Sequence, residues 1–339
     1  MEQTLHSFLR AIPKAENHYH IDAISPALMW RFAQRNHIST PFHSLEETEA
    51  FYEFHTLGEF LNVMMQGILV VRQEEDFYDM ILACAEDMVR QNIRYREAMF
   101  SYTACFGRQG IELETMVRGF SRGLREAKAR YDIDLCFIAD LDRTAPAEDN
   151  CAFLRALESF RAELPVVAVG LDMQEAGYPA HLQRDAFRLA KELGYFTTAH
   201  AGENVGAESV ADALTALGVD RIDHGIRAVE DPALLQTLRE RDILLTVCPD
   251  SNLCLQIYPS WEQYPLDRLL AAKVPVSINS DDPPCFRMDL TQNLIRICEL
   301  YDLSLQEAAM LVRNAFAYSF SGRAHLPDFD RWVQANINS

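Results

Sequence analysis

Basic residues are scarce in this chain of 339 residues. Its 31 lysines and arginines face 50 aspartates and glutamates, giving a formal net charge of −19 with no Lys/Arg-rich run. Such a surface repels nucleic-acid phosphates and anionic lipid, so neither nucleic acid nor a membrane is an expected partner. A small neutral or cationic molecule fits better. No apolar run approaches the ~18 residues that would suggest a membrane span. The segment MEQTLHSFLRAIPKAE has no basic stretch followed by an apolar one, so secretion is not expected. Eight cysteines are scattered and never form CxxC, which argues against a zinc ribbon and against a disulfide scaffold. Their ordinary role is as small buried hydrophobes in a reducing cytoplasm. Missing as well are Pro/Gly/Ser-rich linkers, low-complexity stretches, short repeats, and the HExxH, GxSxG and phosphate-loop motifs.

What the chain does have is alternation. Short β-branched or apolar runs at 14–21, 92–101, 134–141, 166–173, 195–201, 221–225, 243–248 and 274–279 read as strands. Amphipathic stretches such as HLQRDAFRLAKELG and DPALLQTLRERD lie between most of them. Eight β–α alternations, with 49% hydrophobic residues to build a core, predict an α/β (β/α)8 TIM barrel occupying 1–339 as a single domain. A doubly wound open sheet is the alternative, but no glycine-rich loop follows the first strand. About 70 residues separate the first two strands. Within them TLGEFLNVMMQGILVV reads as a helix, either packed on the barrel or, since it follows a strand's C-terminal end, forming a lid.

Barrel enzymes keep their chemistry at strand C-termini. The first strand contributes NHYHID: His18 and His20, two apart, project to one face. An isolated HxH is ordinarily two polar residues on a wet strand. Here, however, the fifth strand ends TTAHAGE with His200 and Glu203, the sixth IDHGI with His224, and the eighth INSDDPP with Asp281 and Asp282. Titratable groups from four strands therefore meet at one mouth. Three imidazoles and a carboxylate, His18, His20, His200 and Asp281, suit one zinc ion per chain. Zinc would bring the pKa of water toward ~7. His224 stands where it can activate that water, and Glu203 where it can donate a proton to substrate. Asp282 is left to hydrogen-bond a substrate NH or a protonated ring nitrogen. The H-x-E…P-C-x-x-C arrangement of another zinc deaminase class is absent, Pro284-Cys285 being followed by Phe286, Arg287 and Met288.

KAENHYHID, TTAHAGEN, RIDHGI, LLTVCPDSN and SINSDDPP, in that order, resemble the adenosine/adenine deaminase branch of the amidohydrolase superfamily, from about Pro13 to Phe320. The resemblance implies a metal-dependent purine aminohydrolase in which Glu203 protonates N1 of a 6-aminopurine. His224 activates water for attack at C6, and Asp282 accepts from the region of N7. It further implies that Phe60, Leu61 and Met64 form an apolar wall over the substrate. The missing lysine at the end of strand four implies one metal rather than two.

The same resemblance carries departures. After His20 the segment IDAISP is one residue shorter than the family's pattern and lacks its glycine. Asp22 matches the position that in adenosine deaminases meets the ribose 5′-hydroxyl. Met173 falls where those enzymes carry a glycine whose amide meets purine N3. GLDMQEAGYP and Asp223, by contrast, resemble adenine deaminases. Glu175 has two readings, a contact at the substrate rim or a surface salt bridge. The expected activity is deamination of an amino-purine in the cytoplasm, with adenosine as the leading case. The alternatives are free adenine, a modified adenosine or other amino-heterocycle, and a non-catalytic binding barrel. The oligomeric state is not legible from the sequence.

Overall fold

A computed structural model describes residues 4–54, 57–286 and 288–337. After helix α1 (Leu5–Ala11) the chain forms β1 (Lys14–His20), and seven further strands follow: β2 (Ile93–Phe100), β3 (Asp134–Asp142), β4 (Val166–Asp172), β5 (Phe196–Ala201), β6 (Arg221–His224), β7 (Leu245–Val247) and β8 (Val276–Ile278). All neighbours pair in parallel in the order β1 to β8. The expected (β/α)8 barrel is therefore present. Its strands are buried on both faces, as parallel strands sheathed by helices must be, so that even the polar residues of β1 (KAENHYH) and β6 (RIDH) lie buried.

The ring closes just beyond the end of β8. A single bridge joins Tyr19 to Asp281, with the His20 N–H donating to Asp281 O at 2.9 Å and the Asp281 N–H to His18 O at 3.3 Å. Below it, the Asn279 side-chain oxygen accepts the Asn17 N–H in place of a backbone carbonyl. The seam of the barrel thus runs between His18, His20 and Asp281.

The long β1–β2 connection folds into four helices, α2 (Pro26–Arg35), α3 (Leu45–Phe51), α4 (Leu57–Val70) and α5 (Glu74–Arg90). Helix α5 packs beside the barrel against α6 (Leu113–Arg130), whose Gly119 and Gly123 let the two helices approach closely: a Cβ at Gly119 would lie 2.5 Å from Glu74 O. Helix α4 lies over the barrel mouth. Phe60 stacks on Phe286, ring centroids 5.0 Å apart, and the Met64 sulfur lies 3.6 Å from Cys285 Sγ. Both Phe286 and Cys285 belong to the short helix Pro283–Phe286 that follows Asp281 and Asp282. The outer face of α4 exposes Met65 and Leu69. The side chain of Leu61, and residues His55 and Thr56, lie outside the described residues.

Candidate metal centre and active site

At the C-terminal mouth of the barrel, ligand atoms from His18, His20, His200 and Asp281 lie within 4.8 Å of one another, all from buried residues. His20 Nε2 is 3.2 Å from His200 Nε2, His18 Nε2 is 3.1 Å from Asp281 Oδ1, and His20 Nε2 is 3.4 Å from the same oxygen. These separations match the roughly 3.3 Å edge of a tetrahedron with ~2.05 Å bonds, the geometry of a four-coordinate divalent site.

The outer nitrogens explain why the inner ones converge. His200 Nδ1 donates to Leu171 O at 3.1 Å, which leaves Nε2 with its lone pair. His18 Nδ1 meets the Thr246 hydroxyl at 3.0 Å, which itself donates to Asp223 Oδ1 at 3.0 Å. Asp223 is further held by the Thr198 hydroxyl at 2.6 Å. His18 Nε2, fully buried, makes no hydrogen bond among the described residues. A buried acceptor left without a donor costs free energy unless something else satisfies it.

Charge points the same way. Burial pushes the His18 imidazole down to about 3, against the pull of Asp281, so it stays neutral and able to bind a cation. At His20 burial also pushes down, but Asp282, Asp172, Asp281 and Asp22 outweigh it and drive the imidazole well above its ordinary range. Asp281, despite burial, is held well below the usual carboxylate range by His18, His224 and His20. Four carboxylates around one imidazole call for positive charge at this point, and the donor set suits a divalent metal ion.

Glu203 and His224 face each other, Oε1 to Nε2 at 3.7 Å, and His224 Nε2 is 3.9 Å from Asp281 Oδ2. Burial pushes the Glu203 carboxyl up to about 7; His224 opposes this, while Asp281, Glu175 and Asp172 add to it. A carboxyl poised near neutrality can release a proton to a bound base. Burial, then the neighbouring Asp281 charge, drives Asp282 well above the carboxylate range. Backbone geometry is unusual at several of these positions. Met173, His224 and Asp281 adopt φ of +77°, +59° and +63°, sparsely populated for residues other than glycine.

The Met173 N–H donates to Asp172 Oδ1 at 2.6 Å, and its side chain packs partly buried at the core's edge. Asp22 gives Oδ2 to the Ser101 N–H at 2.9 Å and turns Oδ1 toward His20 Nδ1 at 3.9 Å. Glu175 corrects both sequence readings. It is buried and accepts from backbone amides of the loop after β5, so it forms neither a surface salt bridge nor a rim. Of the two cysteines near the motifs, Cys285 is buried beside Met64, while Cys248 shares a potential ligand cluster with His224 and Asp281.

Several neighbours of the site lie outside the residues expected from the sequence. Asp140 and Asp172, at the ends of β3 and β4, form with His20 another cluster of potential ligands. The strand-end rule that selected His200 would have selected both. Thr246 and Ser101 carry no comparable signal.

The adenosine deaminase family model matches residues 13–326. The adenine deaminase of Hahella chejuensis is 38% identical over 325 residues, 93% of this chain and 94% of that protein. The crystal structure of an adenine deaminase from Arthrobacter aurescens superposes with a TM-score of 0.89 at 32% identity, covering 96% of this chain and all of that one. An amidohydrolase from Burkholderia ambifaria, solved with bound zinc, has the same fold, with a TM-score of 0.87 at 24% identity over 100% of this chain and 97% of its own.

Proposed function

The chain belongs to the adenosine deaminase family and is a hydrolase acting on a C–N bond of a 6-aminopurine; we propose that its substrate is free adenine, converted with water to hypoxanthine and ammonia. The observation that carries this is the full-length likeness to proteins named adenine deaminase, at 38% identity over more than nine-tenths of both chains. The leading expectation of adenosine thus gives way to its alternative. The state of Asp22 supports the change. Its carboxylate spends one oxygen on the Ser101 N–H and turns the other toward His20, which leaves it poorly disposed to receive a ribose 5′-hydroxyl.

In this reading His18, His20, His200 and Asp281 would hold one zinc ion per chain. When bound, it supplies water whose pKa is lowered toward ~7. The protein's own groups do the rest. His224 orients the attacking water and takes its proton as the oxygen adds to C6. Glu203, protonated at the start, delivers a proton to N1. Asp282, its carboxyl driven well above the usual range by burial and by Asp281, donates to N7 of the ring, and Phe60 and Met64 close the mouth above it. Met173 takes space at the purine's N3 edge. The C6–N6 bond then breaks: the nitrogen leaves as ammonia with the proton held by His224, and the proton of the new C6 hydroxyl returns to Glu203, leaving C6=O and N1–H in the product.

The test is steady-state kcat/KM with ammonia detection for adenine, adenosine, deoxyadenosine and N6-methyladenine. Adenine should lead adenosine by on the order of 10²-fold or more, since a pocket built around the base does not admit a ribose. A preference for adenosine would overturn the assignment.

A further inference from the structure

Glu175 stands three residues beyond β4, only 6% exposed, with no part in the chemistry just described. Its carboxylate is surrounded by donors. Oε1 accepts the Gly202 N–H at 2.6 Å and the Ser209 hydroxyl; Oε2 accepts the Asn204 N–H at 2.8 Å and the Val205 N–H at 2.9 Å. The two amides on either side of Glu203 in the chain, those of residues 202 and 204, thus point at one anion supplied by a different loop.

This arrangement answers a need of the turn itself. After β5 the chain must leave the sheet, and its N–H groups lose their strand partners. Gly202 makes the bend at φ +69°, where a Cβ would fall 2.4 Å from a Val210 methyl carbon. Successive amides in such a bend form a concavity that attracts an anion. Glu175 fills it from the β4 side. From the β6 side, the Gly225 N–H donates to Ala201 O and the Arg227 N–H to Gly202 O, each at 3.0 Å. The turn bearing Glu203 is therefore clamped between the β4 loop and the loop that follows His224.

We propose that Glu175 is a positioning residue for the proton donor: its carboxylate fixes the 202–205 turn so that Glu203 meets the ring nitrogen opposite His224. The proposal rests on reading Glu203 as that donor. A carboxylate offers only acceptors to these four donors. A glutamine of the same shape would set its NH2 against at least one N–H or hydroxyl in either orientation, so the turn could not keep its place.

Glu175→Gln in the metal-loaded enzyme should lower kcat by on the order of 10- to 100-fold, as a displacement of about 1 Å does, with KM for adenine within about twofold. Metal content per chain should equal that of the wild type, whereas a merely structural role would reduce the folded fraction and leave kcat per loaded site intact. Combined with Glu203→Gln, the Glu175→Gln change should have no further effect on kcat, because it acts through Glu203. Wild-type kcat in Glu175→Gln, or a full multiplication of the two losses in the double variant, would overturn the proposal. Retained activity in Glu203→Gln alone would instead overturn the donor assignment. Should Glu175→Gln not fold, Ser209→Ala, which removes one of the four donors, should still lower kcat by roughly threefold; an unchanged kcat there would equally sink the idea.

Discussion

Carboxylates line both halves of the barrel mouth, but in different company. On the half built by β1, β5, β6 and β8, Asp281 faces the imidazoles of His18, His20 and His224, which hold it well below the carboxylate range. On the half built by β3 and β4, Asp140 is fully buried, and neither of its oxygens finds a hydrogen bond among the described residues. Burial, then the nearby Asp172 charge, drives it well above the usual range. Gly170 makes room for it, since a Cβ there would overlap Asp140 Oδ1. Asp172 takes the Ser101 hydroxyl and the Met173 N–H, and is held down to about 2, against burial, by His200 and His20. One residue type thus does two jobs. Where imidazoles outweigh burial, as at Asp281 and Asp172, it stays charged; where burial and other carboxylates win, as at Asp140 and Asp282, it is pushed toward its neutral form.

The sharpest way to break this contrast is to remove the carboxylate of the imidazole half. Asp281→Ala should lower kcat/KM for adenine by on the order of 10⁴-fold or more and strip the metal, because a ligand and its charge go together. Elemental analysis showing full occupancy would take Asp281 out of the ligand set. Glu203→Gln comes next, with kcat down by on the order of 10²–10⁴-fold while the metal stays bound. The same residue sets a pH dependence. A donor must carry its proton, and this carboxyl is pushed up to about 7, so kcat/KM should fall as pH rises through that value. A profile with no descending limb near neutrality would remove Glu203 from this role. The smallest effect concerns support of the imidazoles. Thr246→Val keeps the shape but deletes the hydroxyl between His18 Nδ1 and Asp223, so metal affinity in a chelator competition should drop by about 10–100-fold. An unchanged affinity would mean that His18 is oriented by packing alone.

The imidazole half was legible in the sequence because it obeys simple periodicities. His18 and His20 share a face as residues i and i+2, and each remaining motif ends a strand. The acidic half was not, since its meaning lies in partners far along the chain. Glu175 binds amides 27 to 30 residues away, and Asp172 a hydroxyl 71 residues away. A glutamate after a strand looks the same whether water or a turn surrounds it. Alternation also fails at neighbouring pairs. Asp223 and His224 both serve the centre, as do Asp281 and Asp282, because His224 and Asp281 adopt left-handed backbone that a strict two-residue period does not anticipate.

Local order along the chain therefore determined the barrel, the face that carries chemistry, and a ligand set for a divalent ion, since strand period and strand ends are short-range properties. Which carboxylates stay charged, which brace a turn, and which groups Asp22 meets were decided only by tertiary contacts. A carboxylate's charge depends on burial and on neighbours within a few ångströms, and folding alone brings those neighbours together.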